Sequence, residues 1–244
     1  MKSTKEIYIR TVILQCLTNR VCLEMAAGAA SQQTAEEREE TRCAILYWLQ
    51  NKGYYPHTTA EEKRLFELPV GTEKFTQDEL QEMDAQCKAM DIFLWVLGKT
   101  ETIPDLTYCQ IGEYHELLGI SVGHVMEDEL ARCYLRPESE IVLQADIAFL
   151  WDWRINHVAL LATKGRDHNI TDMVEQNFGD RYDEALKHIP LHIPRTARGS
   201  NDFVAWHLVV RELHKWQLRL MKWFCRWRYY AFVWMMNDDQ WDAK

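Results

Sequence analysis

Three Thr-x-x-Glu segments most constrain how this chain can fold. They begin at Thr34, Thr59 and Thr76, and each precedes a run with helical spacing of apolar residues. In this capping box the Thr side chain accepts a hydrogen bond from the third backbone N–H of the helix, and the Glu reaches back to the Thr backbone. Only 10 Gly and 6 Pro interrupt the 244 residues, fewer than the usual shares of about 7% and 5%. The sequence therefore favours helices.

We expect an all-α fold, built as a single multi-helix globular domain over residues 1–244. A central buried helix is predicted at about 138–164, because apolar residues such as Ile141, Phe149 and Trp151 occur on every side of its helical wheel. At most a minor β-hairpin is expected near 188–200, where two Pro and a Gly interrupt the helices. The last helix is predicted to run from about Ser200 or Asn201 to Asn237.

Charge and cysteine content narrow the function classes. The formal net charge is −9, and DNA-binding proteins usually present a basic surface, so nucleic-acid binding by the whole chain is disfavoured. The longest apolar run near the C-terminus covers eight residues, 229–236, whereas a membrane span needs about 20. Seven scattered Cys do not form a disulfide pattern. We therefore expect a soluble, cytoplasmic protein without a membrane span.

The catalytic and metal-binding motifs are incomplete. Gly119–Gly123 matches GxSxG around Ser121, but the residues before it favour a helix instead of the strand that a nucleophile elbow needs. His115-Glu116 begins an HExxH pattern, yet Gly119 takes the place of the second metal ligand. We therefore predict no catalytic residue, no metal site and no cofactor. Whether the chain is an enzyme stays open, with the balance towards a non-enzyme.

The central helix carries the strongest candidates for a ligand site. Charged side chains on a buried helix must be paired or must reach a wet cavity, and pockets often hold a few polar groups among aromatic rings. A structural network of ion pairs is the favoured interpretation, and a ligand pocket is the alternative. The candidate ligand-binding residues are Asp146, Asp152, Trp153, Arg154 and His157.

The first and last helices carry further candidates. Arg10, Arg20 and Glu24 lie on the first helix, and Arg20 and Glu24 are four residues apart and can pair. On the last helix, a tryptophan stripe is expected to face the core, and the basic stripe beside it is expected to be a solvated face or, alternatively, a site for anions or lipid headgroups. The two stripes consist of Trp216, Trp223, Trp227 and Trp234, and of Lys215, Arg219, Lys222 and Arg226.

Several segments together resemble a bacterial family, domain of unknown function 4272. The matching segments are Arg10 to Arg20 with Leu23-Glu24, Leu46 to Gly53, Thr59 to Gly71, Leu94 to Gly98, Leu135 to Pro137, Leu150 to Arg154, Arg228 to Trp234, and Trp241-Asp242. The resemblance implies one helical domain and no particular substrate. It also implies that matching residues such as Arg10, Arg20, Glu24 and Arg228 form structural ion pairs or an interface.

Three functional hypotheses follow. The first is a non-enzymatic protein-binding module of a regulatory or immunity type, with an unknown protein partner. The second is an enzyme or small-ligand binder with a pocket on the central helix. The third is peripheral binding to nucleic acid or membrane through the basic stripe of the last helix. The sequence does not specify an oligomeric state.

Overall fold

The computed structural model describes most of the chain and divides it into two compact units. The described residues are 1–28, 33–73, 75–106, 114–118, 120–121, 124–125, 129–157, 169–193, 201–237 and 241. Unit 1 comprises Met1–Ile103, Gln110–Leu135 and Trp234–Lys244, and unit 2 comprises Pro104–Cys109 and Arg136–Val233. A single domain over the whole chain stays a prediction.

Helices dominate both units, which confirms a mostly α-helical fold. Unit 1 contains α1 (Thr4–Gly28), α2 (Ala35–Asn51), α3 (Ala60–Glu67), α4 (Gln77–Ala85), α5 (Cys87–Val96), α6 (Tyr114–Leu117) and a two-stranded hairpin of β1 (Ile120–Ser121) and β2 (His124–Val125). Unit 2 contains α7 (Glu138–Asn156), α8 (Ile170–Phe178), α9 (Asp183–Leu186), β3 (Leu191–His192), β4 (Asp202–Ala205), β5 (Leu208–Val209) and α10 (Lys215–Met236), whose last three residues belong to unit 1.

All three predicted capping boxes form. Thr34, Thr59 and Thr76 each accept a hydrogen bond from the N–H of the Glu three residues later, and each Glu accepts one from the Thr backbone. These local bonds fix where α2, α3 and α4 begin, because they satisfy N–H groups that have no partner within the helix.

Helix α1 lies at the centre of unit 1. Every residue from Ile7 to Thr18 is buried, and α1 contacts α2, α3, α4 and α5. Polar residues therefore lie inside this unit, among them Arg10 and Arg20. Each of them must find partners there or leave buried donors unsatisfied.

Helix α7 of unit 2 corresponds to the predicted central buried helix. It buries Leu150, Trp151 and Ile155 in a core that also contains Phe203 of β4. The burial is not complete on every side, because Val142 is 44% exposed. Residues 158–164, the predicted end of this helix, lie outside the described part of the chain.

A small antiparallel sheet in unit 2 occupies residues that were predicted to begin the last helix, so that predicted start is wrong. Its strand order is β3-β4-β5, with Leu191 opposite Phe203 and Val204 opposite Val209. Strand β3 falls within the predicted hairpin region 188–200, but its partner β4 lies beyond it. Trp206 and His207 both have positive φ, at 49° and 61°, as a tight two-residue hairpin turn requires. This left-handed turn interrupts the expected helix, so α10 begins only at Lys215.

Candidate functional site

A pocket in unit 1 is lined by residues of α1, of the segment before α3 and of the C-terminal part of the chain. Its volume is about 270 Å³, slightly below the range of about 300–1,000 Å³ typical of small-molecule sites. One wall is the α1 face that carries Ile9, Arg10 and Ile13, and a second is the segment 56–59. Trp234 and Trp241 supply aromatic surface.

Local structure before α3 shapes the second wall. A short 3₁₀ turn covers Tyr55–His57, and the Thr58 hydroxyl donates to the Tyr55 carbonyl at 2.7 Å. Thr59 then caps α3 and orders Glu62 in its first turn. This capping box brings the Glu62 carboxylate to Arg10 of α1, with which it forms a buried ion pair.

Arg10 is the distinctive group of the pocket. It is only 3% exposed, its Nη2 donates to Glu62, and its guanidinium carbon lies 5.0 Å from the ring centroid of Trp241. Within the described residues, its Nε and Nη1 have no hydrogen-bond partner. Leaving a buried donor unsatisfied costs about 1–3 kcal/mol, and more for a charged group. An acceptor that entered the pocket could relieve part of this cost.

Two charged side chains lie at the pocket rim. The Nζ of Lys2 lies 5.6 Å from the ring centroid of Trp234. Glu6 accepts hydrogen bonds from the Ser3 hydroxyl at 2.7 Å and the Ser3 N–H at 2.8 Å. These bonds, with smaller contributions from Lys2 and His57, hold the pKa of Glu6 below its ordinary value. Glu6 is therefore a carboxylate engaged by Ser3, whereas Lys2 adds positive charge beside Arg10.

The other predicted arginine of α1, Arg20, has hydrogen-bond partners for two of its three nitrogens, Nε and Nη2, whereas its Nη1 has none in the described structure. The Nη2 of Arg20 lies 2.6 Å from the Oε1 of Glu24. Arg20 also donates from Nε to the Leu65 carbonyl at 2.8 Å and from Nη2 to the Leu68 carbonyl at 3.1 Å. Glu24 in turn accepts from the Gly71 N–H at 3.0 Å. The pair thus anchors the segment that follows α3. Within the described residues, Arg20 keeps one nitrogen without a hydrogen-bond partner, whereas Arg10 keeps two.

The predicted site on α7 contains a buried ion pair with an unexpected partner. Arg154 donates from Nε and Nη2 to the two carboxylate oxygens of Asp202, both at 2.6 Å. Both side chains are almost fully buried. Asp152, two residues earlier on α7, is not the partner of Arg154, because Asp202 of β4 takes that place.

The remaining α7 candidates do not converge on Arg154. Burial raises the pKa of Asp152 and of Asp146, and the Asp152 Oδ1 has no hydrogen-bond partner in the described structure. Trp153 contacts Phe178, with ring centroids 5.4 Å apart, and His157 contacts the Trp153 carbonyl at 2.7 Å through Nδ1. A ligand-binding role for these residues stays a prediction.

Arg228 of α10 binds backbone carbonyl groups. Its Nη2 donates to the carbonyls of Pro104 and Asp105 at 2.7 and 3.2 Å. It thus holds the segment 104–105 within unit 2. The interface role predicted for Arg228 stays a prediction.

The sequence motifs for catalysis find no matching geometry in the described residues. Ser121 ends β1 and pairs with His124 of β2 in a short antiparallel hairpin, which is not the strand–turn–helix context of a nucleophile elbow. No cluster of three or more His, Cys, Asp or Glu suited to a metal ion occurs among the residues that the structure describes. Likewise, no described helix is long and apolar enough to cross a membrane.

Comparison with known proteins assigns a family. The family model described as Domain of unknown function (DUF4272) matches residues 1–172, so the chain belongs to that family. No curated protein and no solved structure matches the chain. The matched region includes the pocket residues of α1 and of the segment 56–59, whereas Trp234 and Trp241 lie beyond it.

Sequence reasoning identified Arg10 but missed its pocket. Arg10 was expected to be a structural ion pair or interface residue, and its partner Glu62 was recognised only as part of a capping box. His57, Trp234 and Trp241 are far from Arg10 along the chain, so no local spacing joins them. The available signal was that Arg10 lies within an apolar stretch of α1, between Ile7 and Leu14.

Proposed function

We propose that this protein binds a small anionic molecule in the pocket around Arg10. The ligand class is a carboxylate or phosphate monoester on a compact apolar or aromatic body. The observation that carries the proposal is the nearly buried guanidinium of Arg10, which lines the pocket with two of its three nitrogens lacking a hydrogen-bond partner in the described structure.

The hydrogen-bond donors of Arg10 that lack a partner among the described residues favour an anion over a neutral ligand. Arg10 has one carboxylate partner, Glu62, which occupies Nη2 alone. Lys2 adds a second cation to the lining, and Glu6, whose pKa is lowered by Ser3, adds one carboxylate; the two nitrogens of Arg10 without a partner in the described part of the chain are therefore the groups that favour an anion. Charge-assisted hydrogen bonds from arginine to carboxylate or phosphate are about twice as strong as neutral ones.

The apolar walls favour a ring or short aliphatic body next to the anionic group. Ile9 and Ile13 face the pocket from α1, and Trp234 and Trp241 add two indole rings. Polar and apolar surface contribute to the lining in similar measure, which suits a ligand with an anionic group on an apolar body. A volume of about 270 Å³ leaves room for one such ring.

Calorimetric titration with four probes tests the proposal. Benzoate and phenyl phosphate should bind, whereas benzyl alcohol and benzylamine should bind at least about tenfold more weakly, because they supply no acceptor charge for Arg10. The proposal is wrong if neither anion binds, or if the neutral and cationic probes bind equally well.

A pair of matched variants separates binding from stability. Arg10→Lys removes the guanidinium donors from the pocket, whereas Arg20→Lys alters a buried arginine of the same helix that does not line it. Both variants should lower the urea midpoint, and only Arg10→Lys should weaken benzoate binding by about tenfold or more. Equal losses of binding in both variants would assign the effect to general destabilisation.

Other sequence-based expectations stay proposals. The six free cysteines of the described residues support a reducing compartment, in agreement with a cytoplasmic, bacterial protein; fractionation of the native cell tests this location. Binding to a protein partner is compatible with the pocket proposal and requires its own test, by cross-linking in the native cell.

A further inference from the structure

The first half of α10 presents a row of basic side chains on the surface of unit 2. Lys215, Arg219, Lys222 and Arg226 are all exposed, and their spacings of four, three and four place them along one side of the helix. At 1.5 Å per residue the row is about 16 Å long. We call these four residues the α10 basic face. The opposite side of the helix is buried through Met221 and Cys225.

Aromatic surface adjoins the start of this face. Trp216 is 56% exposed, although its helical position predicts a core role, and its ring centroid lies 6.2 Å from that of Trp206 in the β4–β5 turn. Leu208, which follows that turn, is 37% exposed. Farther along, the Arg219 guanidinium lies over the Trp223 ring, 5.7 Å from its centroid.

The charge of the face contrasts with that of the whole chain. The net charge is −9, so four exposed cations in a row form a local exception. Asp152 lies close enough to the row that Arg226 and Lys222 partly oppose the rise that burial causes in its pKa.

We propose that the α10 basic face and Trp216 dock on an anionic lipid bilayer. Basic residues near a surface rich in anionic lipid are attracted by about 1 kcal/mol each, and tryptophan prefers the membrane interface, where its ring is apolar and its N–H is hydrated. Because the four side chains form a straight row along one side of the helix, all of them can contact a flat bilayer surface at once. Single-stranded nucleic acid is instead typically held in a groove with stacked bases.

Vesicle sedimentation tests the proposal directly. The full chain is mixed with vesicles of phosphatidylcholine alone or of phosphatidylcholine with phosphatidylserine, at low and at physiological salt. We expect binding only to the serine-containing vesicles and weaker binding as salt rises, because surface attraction is screened. An absence of binding at low salt would overturn the proposal without any variant.

A matched pair of charge reversals locates the surface. Lys215→Glu with Lys222→Glu should reduce vesicle partitioning at least about 30-fold, from the loss of two cations at the cited value per residue. Lys5→Glu with Lys52→Glu makes the same change of net charge at two exposed lysines of unit 1, and it should have much less effect. Equal loss in the two double variants would contradict the proposal.

Two further measurements exclude trivial explanations. Trp216→Ala should weaken vesicle binding while leaving the far-UV circular dichroism unchanged, because this ring is more than half exposed. Fluorescence anisotropy with labelled oligouridine tests the rival macromolecule. Binding of oligouridine without binding of vesicles would replace the bilayer by nucleic acid and reject the proposal.

Discussion

Arg154→Met should strongly destabilise unit 2. The arginine makes two hydrogen bonds of 2.6 Å to Asp202, and the side chains are 0% and 2% exposed. The substitution keeps an elongated apolar side chain in the core but leaves the Asp202 carboxylate buried without its cation. Removing one partner of a buried ion pair costs about 3–5 kcal/mol, so the free energy of unfolding should fall by about that amount.

Urea unfolding, followed by far-UV circular dichroism, measures this loss. Asp202→Asn should also be destabilising, and the double variant should cost less than the two single variants together, because neither charge then remains unpaired. Arg181→Met is the control: Arg181 is exposed and contacts the Tyr182 ring at 5.0 Å, so it should cost no more than about 1 kcal/mol. A loss below about 1 kcal/mol for Arg154→Met would refute this reasoning.

Two more predictions concern turns and caps. Gly98→Ala should destabilise unit 1 more than Gly53→Ala. Both glycines have φ near +70°, but of the two only Gly98 would bring an added Cβ against the Tyr134 ring; the urea midpoints of the two variants decide this. Hydrogen bonds from the Thr76 backbone and hydroxyl lower the pKa of Glu79. A lowered folded-state pKa stabilises above the unfolded-state value, and this contribution disappears as pH falls through the folded-state value. Glu79→Gln should therefore lose less stability than the wild type between about pH 5 and pH 3; an equal loss would show that the cap is not linked to this pH dependence.

Features that depend on neighbouring residues were predictable from the sequence. The capping boxes at Thr34, Thr59 and Thr76 need only a Thr and a Glu three residues apart, and the structure contains all three. The predicted start of α10 was wrong because the helical spacing of apolar side chains carries no information about backbone conformation. The left-handed conformations of Trp206 and His207 are uncommon outside glycine. Neither residue is of a type that indicates such a turn in a sequence.

Features that depend on distant residues were not predictable. Asp202 lies 48 positions from Arg154, so spacing offered Asp152 as the nearest carboxylate instead. Trp216 and Trp234 lie on the same side of an ideal helix, yet the first is 56% exposed and the second 6%. The exposure of each tryptophan depends on which other residues pack against that turn of α10. The sequence of the helix alone does not give this information.

The pocket around Arg10 is tested most directly by soaking crystals of the protein with 4-bromobenzoate and collecting anomalous diffraction data. We predict a bromine peak between α1 and the segment 56–59, with the carboxylate within hydrogen-bond distance of the Arg10 guanidinium. A fully occupied probe located elsewhere, or an empty pocket at saturating probe, would contradict it.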